Sequence, residues 1–327
     1  MAATRFKVFA LAVGMLSLAS CGDGGHVSVY TPVDELKFAD PTLQACVVTE
    51  AKRRSWDASG QMTRLVCTNP EGNPVKNVDG IENLVNLQLL DLAHNEISDV
   101  HTIDSLGRLA HLDLGYNRIQ TVELSRLRVS LRSLNLDHNE IADITWLAPL
   151  RHVENLSISH NRLRDIGPVS ALSELKSLDL GNNEIVSIAP LEAIYGLREV
   201  DLSDNLIVDV AALGSLRQLK TLHLNGNQIS RIDKLAGLAT LEELNLSDNR
   251  LTDVMALAEI LQLQHLKLSH NQISDVRPLE DLGNIEIIDL RGNPVDCAAI
   301  SKLVAVLGQD IVVADSCVEP AGTLKQD

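Results

Sequence analysis

Acidic and imidazole side chains recur in this chain at one interval. Asp91, Asp113, Asp179, Asp201 and His223 belong to a single series with a 22-residue step. His94, His138, His160 and His270 belong to another, three places further on. A row of carboxylates on one face can attract a basic protein segment or hold calcium weakly. Its bland reading is a solvated face of an acidic protein. The imidazoles of His138 and His160 fall on adjacent units and can approach each other. Zinc requires further ligands, and none stands out beyond nearby Asp137. Exposed turn residues, or a pH-sensitive contact, are the remaining readings of this series.

The element that must position these groups shows in the asparagines. Asn73, Asn95, Asn117, Asn139, Asn161, Asn183, Asn205, Asn227, Asn249, Asn271 and Asn293 stand 22 residues apart without a slip. A constant period of this size marks a solenoid. Around each Asn runs the pattern LxLxxNx(I/L), as in Leu90-Asp91-Leu92-Ala93-His94-Asn95-Glu96-Ile97. The alternating LxL reads as a short strand with one outward residue between two inward ones. Leucines at three-residue spacing then predict a tight helical or 3₁₀ return. One coil cannot bury its leucines alone, so neighbours must stack and share a core. The Asn amide can satisfy inward-facing backbone groups, which would otherwise cost about 1–3 kcal/mol each.

With Asp165-Ile166-Gly167-Pro168, Ser187-Ile188-Ala189-Pro190 and Asp275-Val276-Arg277-Pro278 in the return segment, the pattern resembles the leucine-rich repeat. Its short 22-residue form resembles that of bacterial internalins and phosphatase-regulatory relatives. The resemblance covers Asn73 to about Pro294. It implies an α/β repeat fold: a curved horseshoe with a concave parallel sheet, short 3₁₀ or helical convex segments, and ligand binding mostly on the concave side. One coil departs from the pattern. After Asn117 the leucines fall at Leu124 and Leu127, one place early, which predicts a distorted convex side there. Asp99, Asp143, Asp165, Asp209, Asp253 and Asp275 are expected to cap the return segments.

The strand register identifies the outward residues of the sheet. Asp91, Asp113, Asn135, Ser157, Asp179, Asp201, His223, Asn245, Lys267 and Asp289 lie between the strand leucines. His111, Glu199, Glu243 and His265 lie two places earlier; Asp137 and Arg291 lie two places later. On this face acids outnumber Lys and Arg eight to two. Stacked pairs such as Asp91/Asp113 and Asp179/Asp201 repel unless hydrated or paired. The candidate ligand-binding residues are Asp91, His111, Asp113, Tyr116, Asp137, Asp179, Glu199, Asp201, His223, Glu243 and His265. Tyr116 is the lone Phe, Trp or Tyr near the rim, and aromatic content is 2%. A polar, salt-sensitive interaction is therefore expected rather than a tight aromatic-anchored one.

The amino terminus reads as an export signal. Arg5 and Lys7 precede a short apolar core, Val8 to Leu18, too short for the ~20 residues that cross a bilayer. Leu18-Ala19-Ser20-Cys21 resembles the lipobox of bacterial lipoproteins, which implies removal of residues 1–20 and lipidation of Cys21. Gly22 follows, where an inner-membrane retention signal places Asp; outer-membrane sorting is the expectation in a diderm cell. Residues 21–36 are expected as a tether, 37–72 as an N-terminal cap, 73–294 as repeats, and 295–327 as a C-terminal cap and tail.

Four cysteines remain, two near each end. The ends of ten coils, at ~4.8 Å each, are too far apart for a disulfide. Cys46 is therefore expected to pair with Cys67, and Cys297 with Cys317, as suits an oxidising compartment. Asp40-Pro41 is a helix start, and Ile300, Leu303, Val304 and Leu307 have helical spacing.

Formal charge is −16, and loss of Arg5 and Lys7 with the signal takes it to −18. A surface so acidic disfavours nucleic acid and anionic lipid as partners. No GxSxG, phosphate-cradling glycine loop or HExxH is present. The expectation is a non-enzymatic, cofactor-free module of the bacterial envelope, held by lipid and binding a protein or peptide through its acidic face. A surface adhesin is one form of this. The alternative is a periplasmic scaffold without a dedicated ligand.

Overall fold

A computed structural model describes residues 31–68, 72–315 and 317. The signal at 1–20, Cys21, the first part of the tether and the final tail lie outside the described residues. Among the described residues twelve strands form one open sheet, all parallel and ordered as in the sequence. They are β1 Arg64–Val66, β2 Leu89–Asp91, β3 His111–Asp113, β4 Ser133–Asn135, β5 Asn155–Ser157 and β6 Ser177–Asp179. They continue as β7 Glu199–Asp201, β8 Thr221–His223, β9 Glu243–Asn245, β10 His265–Lys267, β11 Ile287–Asp289 and β12 Val312–Val313. Successive strands pair residue for residue at the 22-residue step, so Asp91 stands beside Asp113 and Asp179 beside Asp201. The solenoid reading and its register hold.

Each strand turns into the core at the asparagine. The amide of Asn117 donates to the carbonyls of Leu114 (2.9 Å) and Leu92 (3.0 Å), while its oxygen accepts from Ile97 N (3.0 Å). One side chain thus ties its own turn to the preceding coil. The pattern repeats from Asn95 to Asn293. Asn73 departs from it. It is exposed, because no coil precedes it to supply the carbonyls; only the period, not the neighbourhood, includes it.

The return segments are 3₁₀ turns such as Gly167–Ala171, with Val169 buried. Asp99, Asp143, Asp165, Asp209, Asp253 and Asp275 each accept from the backbone N–H two residues on, as expected of caps. The irregular coil is distorted in a defined way. The shift runs opposite to the early placement that Leu124 and Leu127 implied: its 3₁₀ turn is Ser125–Val129, later in the repeat than its neighbour His101–Ser105, because Leu124 takes the place before the turn that Val100 holds there. Asp104 of the preceding coil caps it through Arg126 N (2.7 Å).

Caps close both ends. Helix α1, Pro41–Arg54, buries Leu43, Val47 and Ala51 on one face. Asp40 accepts from Thr42 N (2.7 Å) at the helix start and from Lys76 N (2.7 Å) in the first coil. Burial works against its charge, but these backbone N–H groups hold its carboxyl below the ordinary value. Helix α2, Cys297–Leu307, buries Leu303 against the last coil. Disulfides join Cys46 to Cys67 and Cys297 to Cys317, as the spacing required. The tether is shorter than expected. Val33 and Leu36 are buried in the core, and Pro32 bridges Ala58, so residues 32–36 belong to the cap. Their apolar side chains join the buried core beside α1, which a tether reading of this stretch overlooks.

Candidate functional site

On the concave sheet the outward carboxylates have a local task before any ligand arrives. Asp91, Asp113, Asp179, Asp201 and Asp289 each accept from the backbone N–H two residues later, at 2.8–3.1 Å. Asn135 and Asn245 do the same at their places in the series. An acceptor on a short side chain stabilises the bend that leaves the strand. At Ser157 the acceptor comes from the neighbouring coil: Asp137 takes Ser159 N (2.7 Å) and the Ser157 hydroxyl (2.6 Å). This Asx role accounts for the excess of Asp and Asn in the series, and one oxygen of each bend-capping Asp remains for other partners.

Those partners divide the face. Asp113 receives the Asn135 amide (3.2 Å), and Glu199 receives the Ser177 hydroxyl (3.1 Å). These are neutral donors, as are the hydroxyl and N–H on Asp137. Further along, the partners are imidazoles and a guanidinium. His223 reaches Asp201 through Nδ1 (3.2 Å) and Glu243 through Nε2 (3.3 Å). Arg291 pairs with Asp289 (2.6 Å), and His265 approaches Glu286 (3.6 Å). The expected repulsion within Asp179/Asp201 is therefore relieved from one side only.

The electrostatics follow this division. Burial pushes the Asp91 carboxyl above its ordinary value against the pull of the Ala93 N–H, and Asp113 adds to the rise. Arg64, an outward residue of β1 absent from the sequence-derived set, offsets part of it. Burial likewise raises Asp179; the Gly181 N–H resists, while Asp201 and Asp137 reinforce the rise. Burial also acts on Asp201, but hydrogen bonds from His223 and Ser203 outweigh it and lower its pKa. His223 is raised by Asp201 against burial, with Glu243 contributing. Ser177, Asp179, Glu199, Asp201, Thr221 and His223 surround a shallow depression of about 240 Å³ at the centre of the face.

Tyr116 and His111 are exposed, Tyr116 on the rim and His111 at the start of β3. Tyr116 is not isolated. Its ring stacks between His94 (centroids 4.2 Å apart) and His138 (4.0 Å), and His138 stacks on His160 (3.8 Å). The pairwise approach of His138 and His160 was foreseeable; the four-ring row was not. Its signal lay in the register, since Tyr116 occupies the histidine position of its coil. Among the described residues, no group of three or more His, Cys, Asp and Glu is placed to hold a metal ion. No helix among them is long and apolar enough to cross a membrane.

Leucine-rich-repeat family models match residues 195–251, residues 151–193 and 261–302 (as two-copy units), and residues 83–100 and 129–144. Among curated protein sequences none matches the chain. The fold superposes on an internalin, InlF, from Listeria monocytogenes with a TM-score of 0.73 and 25% identity, covering 89% of this chain and 93% of that one. A leucine-rich-repeat protein of Leptospira interrogans gives 0.64 at 25% identity, covering 77% of this chain and 72% of that one. The plant peptide hormone receptor RGFR1, solved in complex with RGF2, gives 0.60 at 20% identity over 68% of this chain and 39% of the receptor, a likeness of fold alone.

Proposed function

For this chain, a leucine-rich-repeat protein, we propose the function of an envelope interaction module whose acidic concave face binds a protein or peptide with a basic surface. One observation carries the reading. Asp113, Asp137 and Glu199 lie on an open sheet with neutral donors for partners, and Asp179 is half-buried beside further acid. Their negative charge is thus held in place without being cancelled. Preorganised, uncancelled charge steers a complementary partner and loses strength with salt. In this reading Cys21 carries the lipid that keeps the module at the outer membrane, since more than one acyl chain gives stable anchoring.

The binding test uses the mature chain and a fluorescent oligolysine peptide. The variant D113N/D137N/D179N/E199Q removes four charges and keeps the bends, because Asn135 and Asn245 already serve as bend acceptors. A matched variant, D143N/D165N/D209N/D253N, removes four charges from the convex caps. Loss of affinity by tenfold or more in the first alone supports the face. Equal loss in both reduces the interaction to net charge and rejects it. Anchoring is read by labelled fatty acid incorporation in wild type and C21A. Protease shaving of intact and lysed cells then separates a surface adhesin, cut on intact cells, from a periplasmic module.

A further inference from the structure

The row His94, Tyr116, His138 and His160 lies along the rim, three residues beyond the concave positions Asp91, Asp113, Asn135 and Ser157. All four take left-handed backbone, with φ of 58°, 57°, 51° and 51°. Gly, Asn, Asp and His are the residues found there most often, and Asn182, Asp204, Gly226, Asp248 and His270 occupy the same register further on, so Tyr116 is the residue out of type. Rings at four consecutive positions of this register form a continuous surface where Asn, Asp or Gly would equally satisfy the fold.

Stacking determines what this surface offers. Interplanar angles of 12–18° cover the inner ring faces, so edges rather than faces meet solvent. Cation–π capture of a ligand is thereby disfavoured. Near-parallel imidazoles also direct their in-plane lone pairs side by side, not toward one metal centre. What remains is a line of hydrogen-bonding edges, three of them able to take up a proton.

We propose that this rim row is a second wall of the basic-ligand site and makes the site release its ligand on acidification. The inference rests on the acidic face being the binding surface. On the concave side the row is flanked by Asp91, Asp113 and Asp137, with Arg64 and His111 on the adjoining strands. On the other side Glu96 pairs with both Arg118 (2.9 Å) and Lys76 (3.4 Å), and Glu140 pairs with Arg162 (3.2 Å), so no acid there is left without a cation. The uncancelled charge near the rings is therefore acidic while the rings are neutral. Protonation places imidazolium charges beside a cationic ligand and sets stacked cations against each other. Burial and the neighbouring His160 already hold the His138 pKa down, the direction expected of a ring that resists charge while stacked.

The test compares oligolysine binding at roughly pH 7.5 and 5.5, across the range in which imidazoles titrate. Two variants remove the titration in different ways. H94N/H138N/H160N uses a residue already tolerated in this register at Asn182, and H94F/H138F/H160F keeps the rings. Wild type is expected to lose roughly tenfold more affinity on acidification than either variant. Equal losses in wild type and both variants assign the pH effect to groups outside the row, His111, His223 and the carboxylates among them, and overturn the inference alone. Absence of binding at pH 7.5, or indifference to D113N/D137N/D179N/E199Q, overturns the reading of the face and the inference with it. Weaker neutral-pH binding in the Phe variant, with its pH response gone, supports the wall and the switch together; unchanged neutral-pH affinity in both variants overturns the wall.

Discussion

The two halves of the concave sheet share one backbone and differ in what completes their carboxylates. From β2 to β6, Asp113 and Asp137 are held by amide, hydroxyl and N–H donors, and a row of four rings borders them. From β8 to β11, Arg291 neutralises Asp289 and the His223 ring engages Asp201 and Glu243 from within the protein, and the rim carries Gly226, Asp248, His270 and Gly292. A count of acids against bases over the whole face misses this. A carboxylate paired with its own cation offers little to a ligand, while one held by neutral groups keeps its field and its geometry. The repeat supplies a scaffold of equal quality along its length, and the outward residues alone make one half a candidate for binding.

The sharpest test of scaffold equality is to remove one ladder amide from each half. Asn139→Ala and Asn249→Ala each strand the carbonyls and the N–H that the side chain serves. Each is expected to cost about 3 kcal/mol, read by hydrogen exchange in the flanking coils, where repeat proteins open locally. A several-fold smaller cost in one half would show that the halves differ in backbone as well as surface.

Next in size is the binding contrast. The variant D201N/E243Q/D289N strips the self-paired half of its acids, and its loss of oligolysine affinity should stay below about threefold. A loss matching that of D113N/D137N/D179N/E199Q would erase the distinction between paired and unpaired acid.

Smaller effects concern pH and stability. His223 has a folded pKa above its unfolded value, so the stability it contributes is present below the unfolded value and fades as pH rises through the folded one. Asp201 is lowered, so its contribution is present above its unfolded value and fades as pH falls through the folded one. The pair therefore contributes most between roughly pH 4 and 6.5. H223Q should remove about 1 kcal/mol in that window and less above it, measured by denaturant midpoints across pH. A pH-independent loss would point to packing instead.

The smallest expected effect has the opposite sign. Asp179 is raised by burial and by the acids beside it, so its charged form opposes folding at neutral pH. Asp179→Asn should be neutral or stabilising by less than ~1 kcal/mol while weakening peptide binding. Clear destabilisation would mean that the charge, and not merely its acceptor oxygen, supports the bend at Gly181.

The 22-residue step of asparagines and leucines determines the architecture, the strand register, the outward residues and, through the separation of the ends, both disulfides. Periodicity carries this because every coil meets the same neighbours, so a local pattern is also a tertiary one. It stops where neighbours stop: Asn73 keeps the period without a coil to serve, and Val33 and Leu36 join the cap from a stretch with no repeat to mark them. The chemistry of the face was legible as a list of acids. Which of them are cancelled depends on contacts between coils and along the turn, such as His223 with Asp201 and Glu243, and Arg291 with Asp289. The ring row likewise exists only once left-handed turns on successive coils align His94, Tyr116, His138 and His160 at stacking distance. Residue types and their order were enough for the scaffold; charge compensation and ring stacking required positions in space, because both depend on distances of a few ångströms between side chains, most of them on different coils some 20 residues apart in the chain.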